Sequence, residues 1–384
     1  MTTIYLVRHA EAEGNLYRRI HGHYNALITD NGFRQIAALK QRFADIPVDA
    51  VWSSDLYRTM TTAGAVYLPK GLPLHTDPEL REINMGDWED HPWGEIRHTQ
   101  PELLNRFNRT DPTWRAPNGE NLAEVGNRLE RVIRRISTAH PGQTVAIFSH
   151  GTAIRQFTAH VRGLTPDQWH TLGHSDNTAV TKLLFDGNRF TLEYEGDASH
   201  LDNSISTLAR QNWWRTGGKM APDVNLWYRP IDWETERDFY LQARQDAWNS
   251  THLNGPEFQA EGFLRAAEED LTHTPFGVSV AMQGEEVAGI IQIDGRRYAE
   301  QNAGYIPFLY LLPHLRGQGL AVQLIGHAVS RFRPMGYDKL RLRCAPYNQS
   351  AQTFYRKHGF VKIGEEDGSR VPLDILEKYI GFER

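Results

Sequence analysis

The first half of the chain alternates short apolar runs with apolar residues at helical spacing. Residues 4–7 and 145–148 are predicted as buried strands because each is a short, continuous apolar run. Two stretches between them carry apolar residues at every third or fourth position, which predicts amphipathic helices: Phe33, Ile36, Ala37, Lys40 (the one polar member) and Phe43, then Leu122, Val125, Leu129, Val132, Ile133 and Ile136. This alternation predicts a mixed α/β sheet with helices on its faces.

A second α/β pattern begins at residue 224. The same criteria predict a strand at 224–228, a helix at 235–248, and two strands at 277–282 and 286–293 that are joined by a hairpin turn at Gln283-Gly284. Between the two patterns, the chain is polar and then contains Gly217, Gly218 and Pro222, which is typical of a linker. We therefore predict a domain over residues 1–205, a linker over 206–222 and a second domain over 223–384.

The composition is that of a globular protein. The chain has 384 residues, 40% of them hydrophobic and 23% charged, so each predicted domain is long enough to bury a core. The 42 basic and 47 acidic residues give a net charge of −5, which argues against nucleic acid as a partner. Cys344 is the single cysteine, which excludes an intrachain disulfide. Because no apolar run approaches about 18 residues and residues 1–10 contain no apolar leader, we expect a cytoplasmic protein that does not contact a membrane.

Two histidines and two arginines stand where predicted strands end or a predicted helix begins. Arg8 and His9 follow the first strand, His150 follows the strand at 145–148, and Arg58 lies in the first turns of a helix. Ligands bind at the carboxyl ends of strands in open α/β sheets. Arginine offers phosphoryl oxygens a charge and forked donors, and a neutral imidazole attacks phosphorus directly. The combination therefore indicates phosphoryl transfer.

These residues resemble the histidine phosphatase superfamily, which has the phosphoglycerate-mutase-like fold. Five segments within about residues 1–196 carry the resemblance in the order typical of the family: 6–11 with Asn15, 29–35, 53–62, 80–88 and 149–151. The resemblance implies a three-layer α/β/α domain in which His9 is phosphorylated and Glu82 is the general acid and later the base for water. It also implies which residues hold the phosphoryl oxygens: Arg8, Arg58, His150 and, in a supporting role, Asn15. A helix cap is the alternative role for Asn15.

The sequence departs from the family pattern at three positions: Ala10 replaces the common Gly, Ala12 the common Thr, and His21 the common Gln. None of these changes removes a catalytic group, and Ala12 is expected to loosen one phosphate hydrogen bond. About forty residues separate Glu82 from Asn121, which favours the phosphatase branch because mutases typically carry a long insertion here. No metal-ligand spacing is present, so no metal is expected.

A glycine-containing turn is the candidate ligand site of the second domain. The predicted strand end at 309–313 runs into the turn, which precedes a helix and consists of Arg316, Gly317, Gln318, Gly319, Leu320 and Ala321. Small residues at a helix start let backbone N–H groups approach a phosphate, and the helix dipole favours the anion. The alternative is a tight strand–helix turn that binds no ligand.

Together with downstream residues, this turn resembles the GNAT superfamily of N-acetyltransferases over about residues 224–384. The turn matches the family signature at Arg316, Gly319 and Ala321, and the strand at 339–344 and the segment 348–360 continue the match. The resemblance implies an α/β domain with a mixed, mostly antiparallel sheet that uses acetyl-CoA.

The GNAT resemblance also implies individual roles. The backbone N–H groups of residues 316–321 bind the CoA pyrophosphate, the backbone from Leu309 to Leu311 contacts the pantetheine arm, and Asn348 contacts the cofactor. Tyr355 protonates the departing thiolate, and a core tyrosine is its alternative role. Pro307 is expected to mark a bulge, since the family bends that strand. The general base stays unidentified among three candidates: Glu300, Tyr305 and Tyr310.

The sequence therefore predicts a bifunctional enzyme that hydrolyses a small-molecule phosphate ester through a phosphohistidine and acetylates a small-molecule or protein amine with acetyl-CoA. The alternatives are a phosphatase whose C-terminal domain senses CoA or acetylates a protein, and a phosphoglycerate-type mutase.

Overall fold

The computed structural model describes residues 1–210, 224–251, 258–274, 276–368 and 372–382. Of these, residues 1–91 and 96–210 belong to one compact unit and residues 224–382 to another. Most of the predicted linker, residues 211–222, lies outside the described residues. Its first residues, 206–210, are described and include a short helix.

The first unit is built on a six-stranded sheet with the strand order β3-β2-β4-β1-β5-β6. The strands are β1 (Thr2–Arg8), β2 (Ala50–Ser53), β3 (Leu74–Thr76), β4 (Thr144–Ser149), β5 (Val180–Phe185) and β6 (Phe190–Asp197). The first four in spatial order are parallel, whereas β5 and β6 pair antiparallel at one edge. Since β1 and β4 are parallel neighbours with Arg8 opposite Ser149, the residues that follow them emerge side by side.

The helices of residues 1–210 are α1 (Glu13–Tyr17), α2 (Asp30–Arg42), α3 (Tyr57–Lys70), α4 (Trp93–Thr99), α5 (Pro101–Asn108), α6 (Leu122–Ala139), α7 (Gly151–Val161) and α8 (Thr207–Arg210). On one face of the sheet, Tyr5 and Val7 of β1 pack with Leu39 of α2 and Ala63 of α3. Alternate residues of a strand point to opposite faces, and α6 and α7 contact β1 as well. The predicted three-layer arrangement is confirmed.

The two helical stripes predicted in this unit have different outcomes. All six apolar residues predicted for α6 are at most 2% exposed, and Asn121 caps the helix by accepting from the Glu124 N–H at 2.8 Å. Helix α2 forms as predicted, but the predicted buried face is wrong because Phe33 is 53% exposed. The buried face includes the polar Asn31 and Gln35. Their side chains both donate to the carbonyl of Ile205, and periodicity cannot anticipate such a bond.

The second unit contains a seven-stranded sheet with the order β12-β13-β11-β10-β9-β8-β7. Its strands are β7 (Trp227–Pro230), β8 (Val278–Gln283), β9 (Glu286–Tyr298), β10 (Ala303–Leu311), β11 (Lys339–Cys344), β12 (Val361–Asp367) and β13 (Pro372–Tyr379), and its helices are α9 (Trp233–Thr251), α10 (Ala260–His273), α11 (Ala321–Phe332) and α12 (Gln349–Lys357). Among the described strands of this sheet, only β10 and β11 pair in parallel, so the predicted mostly antiparallel sheet is confirmed.

Most strands predicted for this unit lie close to their expected positions. The hairpin turns at Gly284, which has a φ of 59°, and β11 has the predicted bounds. The strand predicted at 224–228 begins three residues later, at Trp227, which corrects that prediction. The pairing of β10 with β9 shifts register between Tyr305 and Phe308, so the bulge expected at Pro307 is confirmed.

Candidate active sites

His9, the predicted nucleophile, directly follows β1 and is 7% exposed. Its Nδ1 lies 2.7 Å from the carbonyl oxygen of Ala10, so Nδ1 carries the proton of a neutral ring and Nε2 carries the lone pair. The side-chain amide of Asn177 donates to the His9 carbonyl at 2.9 Å. These contacts fix both the backbone and the ring, and they leave Nε2 as the nitrogen available for chemistry.

His150 follows β4 at the N-cap position of α7 and is fully buried. Neither of its ring nitrogens has a hydrogen-bond partner among the described residues. The His150 and His9 ring centroids lie 5.2 Å apart, because the parallel pairing of β1 with β4 brings the two strand ends together. A buried polar atom without a partner is costly, so these nitrogens favour a polar ligand beside His9.

Both histidines are uncharged at neutral pH. Burial, together with the charges of Arg58 and Arg8, holds the pKa of His9 well below its usual range. Burial and the charge of Arg58 likewise hold the pKa of His150 well below its usual range. A neutral imidazole keeps a lone pair that an imidazolium lacks, so the surroundings favour the nucleophilic form.

Two arginines lie beside this histidine pair: Arg58 is buried and Arg8 is partly exposed. Arg8 donates to the carbonyl of Ser175, and its Nε has no partner in the described part of the chain. Arg58, in the first turn of α3, is 1% exposed and donates to the carbonyls of Tyr24 at 2.9 Å and Gly22 at 2.7 Å. Burial lowers the pKa of Arg8, and it lowers the pKa of Arg58 to about 10. Both side chains are still cations at neutral pH and suit a phosphoryl group.

Glu82 lies near the same two arginines, on a segment that forms neither helix nor strand. Its carboxylate accepts from the N–H groups of Thr152 and Ala153, both at 2.9 Å, at the beginning of α7. The carboxylate therefore lies at the helix end that His150 caps, and its charge acts on both Arg8 and Arg58. The structure thus brings together five predicted residues: Arg8, His9, Arg58, Glu82 and His150.

Asn15 and His21 are engaged in local contacts. The Oδ1 of Asn15 accepts from the Ala12 N–H at 3.1 Å, so this oxygen serves as the helix cap that the sequence left open as its alternative role. His21 Nε2 lies 3.2 Å from Asp90, which is also paired with Arg19 at 2.7 Å. His21 Nδ1 is buried and has no partner in the described part of the chain.

The sequence analysis missed Asn177 and a buried polar network that begins at Glu11. The Glu11 carboxylate accepts from Thr29 at 2.8 Å and from Asn31 and Thr207 at 3.0 Å. Thr207 is 2% exposed, although the sequence assigned it to the linker. The side-chain partners of Thr207 lie more than 170 residues away, so no local signal reveals its burial. Asn177, in contrast, stands as an amide three residues before an apolar strand.

In the second unit, the parallel strands β10 and β11 separate at the predicted bulge. Their pairing runs from Ala303 with Lys339 to Ile306 with Leu342 and then stops, and β10 continues to Leu311 against β9 alone. Pro307, the next residue, has no N–H to donate. Leu309 and Leu311 therefore lie on a stretch of β10 that is not paired with β11. The separation leaves backbone groups for an extended ligand arm.

The glycine turn leads into α11. Gly317 and Gly319 have φ values of 78° and 79°, which favour glycine, and a Cβ built on either glycine meets no atom within 4 Å. The N–H groups of residues 317–321 donate no hydrogen bond to the described part of the chain. A row of free N–H groups before a helix, with open space at both glycines, fits the pyrophosphate of CoA.

The other predicted cofactor contacts lie close to this strand end or follow β11. Arg316 donates from Nε to the Leu311 carbonyl at 3.0 Å and from NH2 to Asp246 at 2.7 Å. Asn348 caps α12 by accepting from the Ala351 N–H at 3.1 Å. Burial, followed by the nearby Cys344 and Tyr305, raises the pKa of Tyr355, so its hydroxyl keeps its proton at neutral pH.

The three candidate bases differ in environment. The Tyr310 hydroxyl donates to Asp246 at 2.9 Å, and burial raises the Tyr310 pKa to about 12. The Tyr305 hydroxyl accepts from Arg343 Nε at 2.8 Å. Glu300 is exposed in a short 3₁₀ turn.

Comparison with known proteins agrees with both units. Residues 4–198 match the family model of the histidine phosphatase superfamily (branch 1), and residues 231–360 match that of the acetyltransferase (GNAT) family. Phosphoglycerate mutase-like protein 4 of Arabidopsis thaliana is 32% identical over 206 residues, 52% of this chain and 87% of the plant protein. The Yersinia pestis (strain Pestoides F) protein named "Probable phosphoglycerate mutase GpmB" is 30% identical over 207 residues, 53% of this chain and 96% of that protein.

A solved structure, Bacillus stearothermophilus YhfR, aligns with a TM-score of 0.51 and 30% identity over 53% of this chain and 100% of its own. Fold and sequence together define a two-domain α/β protein with a paired-histidine unit and an acetyltransferase-type unit. The chain belongs to the histidine phosphatase superfamily, and its residues 231–360 form a GNAT domain. No helix of the described residues has the length and apolar character needed to cross a membrane.

Proposed function

We propose that the chain is a bifunctional enzyme: a phosphatase that hydrolyses a small-molecule phosphomonoester through phosphorylated His9, and an acetyl-CoA-dependent N-acetyltransferase. The arrangement at the ends of β1 and β4 carries the first activity. There, a neutral imidazole with its lone pair on Nε2 lies 5.2 Å, centroid to centroid, from the buried His150. The guanidinium groups of Arg58, which is buried, and of Arg8, which is partly exposed, complete a cradle for phosphoryl oxygens.

The first half-reaction transfers the phosphoryl group to His9. Nε2 of His9 attacks phosphorus, the bond from phosphorus to the leaving oxygen breaks, and Glu82, which enters this step in its protonated form, gives its proton to that oxygen. In the second half-reaction, Glu82 takes a proton from water, the oxygen of that water attacks phosphorus, and the P–N bond to His9 breaks to release phosphate. Arg8, Arg58 and His150 stabilise the charge on the phosphoryl oxygens in both steps.

Replacement of His9 tests the covalent step. The His9→Ala variant is expected to lose phosphate release, because the proposed P–N bond forms at His9 Nε2, whose lone pair is available since Nδ1 contacts the Ala10 carbonyl. Wild-type protein is exposed briefly to substrate and the reaction is then quenched without acid. Mass spectrometry is expected to detect an acid-labile phosphate on His9. Near-full activity of a folded His9→Ala protein on the best substrate would refute the mechanism.

The leaving-group dependence tests the role of Glu82. With an alkyl phosphate, Glu82→Gln is expected to slow release by roughly 100-fold or more, since the departing alkoxide needs a proton. With 4-nitrophenyl phosphate the loss is expected to be smaller, because that leaving group departs as a stable anion. Equal losses on both substrates would exclude Glu82 as the acid.

A mutase is the alternative for the first unit, since both curated relatives described above bear mutase names. The short connection between Glu82 and Asn121, which holds only α4, α5 and a 3₁₀ turn among its regular elements, favours a phosphatase because little chain is present there to exclude water. Incubation with 3-phosphoglycerate distinguishes the two: release of inorganic phosphate supports the phosphatase, and formation of 2-phosphoglycerate without release supports the mutase.

The second activity is proposed from the GNAT domain and from the fit of its turn to CoA. Residues 317–321 are proposed to bind the pyrophosphate through their backbone N–H groups. The stretch of β10 from Leu309 to Leu311, which does not pair with β11, is proposed to bind the pantetheine arm. Bound acetyl-CoA supplies an acetyl thioester for transfer to an amine. Tyr355 holds a proton for the departing thiolate, and its raised pKa keeps that proton in place until it is needed.

Acetyl transfer is tested by release of free CoA thiol in the presence of candidate amines. Turnover with a small amine would support the small-molecule transferase, and turnover with a peptide alone would support the protein-acetylating alternative. Tight CoA binding without turnover on any amine would support the sensing alternative. A Tyr355→Phe variant is expected to bind CoA normally and to lose turnover if Tyr355 is the acid.

A further inference from the structure

Arg128 of α6 binds the backbone of the segment that ends at Glu82. Its guanidinium donates to the carbonyls of Glu79 at 2.8 Å, Arg81 at 2.9 Å and Glu82 at 3.1 Å. The same side chain bonds both carboxylate oxygens of Glu120, at 2.9 and 2.8 Å. Arg128 is 14% exposed and Glu120 22%, so solvent weakens this ion pair less than it weakens a surface pair.

The Arg128–Glu120 pair holds the chain on both sides of Glu82. Glu120 Oε2 also accepts from the Asn84 N–H at 2.9 Å, two residues after Glu82. His23 Nε2 lies 2.9 Å from the Glu82 carbonyl oxygen and adds a third contact. Residues 81–85 form neither helix nor strand, so these side chains, together with the Thr152 and Ala153 N–H groups that hold the carboxylate, fix the position of Glu82.

We propose that Arg128 and Glu120 are positioning residues for Glu82. This inference rests on the proposed role of Glu82 as the general acid. Proton transfer requires a heavy-atom separation of about 2.6–3.2 Å, and a displacement of about 1 Å costs on the order of 100-fold in rate. Loss of the pair therefore slows the step that needs the acid, while Arg8 and Arg58 still bind phosphate.

The test compares Arg128→Ala with the matched control Arg131→Ala. Arg131 lies one turn further along α6, and its side chain is 62% exposed. It also contacts Glu79, but it donates to the Glu79 side-chain carboxylate, at 2.9 Å, and not to the backbone carbonyl. Arg128→Ala is expected to reduce kcat/KM for an alkyl phosphate by about 10- to 100-fold and kcat/KM for 4-nitrophenyl phosphate by less than about threefold, because kcat/KM covers only the steps up to departure of the leaving group. Arg131→Ala is expected to leave both substrates at wild-type rates.

A double-variant cycle identifies the route of the effect. If Arg128 acts through Glu82, Arg128→Ala adds no further loss on the alkyl phosphate in a Glu82→Gln background. Equal losses of kcat/KM on both substrates, or full additivity with Glu82→Gln, would overturn the inference.

The inference and the proposed function fail in different ways. If the loss of activity in Glu82→Gln does not depend on the leaving group, the assignment of Glu82 as the acid fails. If that loss depends on the leaving group and the loss in Arg128→Ala does not, only the positioning role of Arg128 fails. Glu120→Gln keeps the three carbonyl contacts of Arg128 while removing the charge of its partner, and it serves if Arg128→Ala does not fold. A smaller loss with the same leaving-group dependence is expected for Glu120→Gln, and no dependence would count against the pair.

Discussion

The proposed CoA site makes its sharpest prediction at Gly319. A Cβ built on Gly319 meets no atom within 4 Å, so the side chain of a Glu at this position lies in open space. There it adds a negative charge beside a doubly charged pyrophosphate. The loss of one charge-assisted bond and the gain of a like charge together weaken binding by at least about 2 kcal/mol. That energy corresponds to roughly a 30-fold increase in the Kd for CoA.

Backbone strain is a second effect of the same substitution, and it needs its own control. At a φ of 79°, a residue with a Cβ costs about 1–2 kcal/mol of stability. Gly336 has a φ of 90°, meets no atom within 4 Å of a built Cβ, and lies outside the turn. Gly336→Glu therefore reproduces the strain and the added charge, and it is expected to keep the wild-type affinity for CoA.

Calorimetric titration of the full-length proteins with CoA provides the measurement. Thermal unfolding shows that each variant is folded, and phosphate release is expected to stay at the wild-type rate in both. If folded Gly319→Glu binds CoA as tightly as the wild type, the turn does not bind the pyrophosphate. Equal weakening by Gly336→Glu would assign the loss to strain or net charge rather than to the turn.

Three further predictions concern the stability of the protein and the extent of its two units. The pKa values of His9 and His150 are lowered in the folded state, so the unfolded state binds more protons below about pH 6.5. The free energy of unfolding is therefore expected to fall as the pH falls from about 6.5, by at most about 1.4 kcal/mol per pH unit for each histidine. Thermal unfolding between pH 7.5 and 5.5 measures this slope, and a His150→Gln variant with the wild-type slope would contradict it. Residues 1–222 expressed alone are expected to release phosphate, and residues 223–384 to bind acetyl-CoA. A chain ending at residue 205 is expected to unfold at a lower temperature than one ending at 210, because it lacks the bonds of Thr207 to Glu11 and Gln35, and equal unfolding temperatures would show that these bonds add no stability.

Local pattern was sufficient for the elements that repeat a simple period. The stripe of α6, the strand at 339–344 and the hairpin at Gly284 follow from the spacing of apolar residues and turn residues alone. Both family resemblances depend on short motifs at strand ends. Such motifs can be located in the sequence because a change from apolar to polar residues marks the end of each strand.

Periodicity failed where a buried polar group has a distant partner. Asn31 and Gln35 occupy the buried face of α2 because the Ile205 carbonyl lies there, whereas Phe33 is left to solvent. The same network draws Thr207 into the first unit. A hydrogen bond between residues so far apart forms only in the folded chain, so the pattern of neighbouring residues cannot predict it.

The residue types of the phosphoryl site were determined by the sequence, but their arrangement was decided by the tertiary structure. Arg8, His9 and His150 could be selected because they follow predicted strands. Only the parallel pairing of β1 with β4 brings the two imidazoles to a centroid distance of 5.2 Å, and only burial beside Arg58 keeps them neutral. The placement of Glu82 depends on Arg128 and on the start of α7, because hydrogen bonds across the fold hold a segment that has no regular structure of its own.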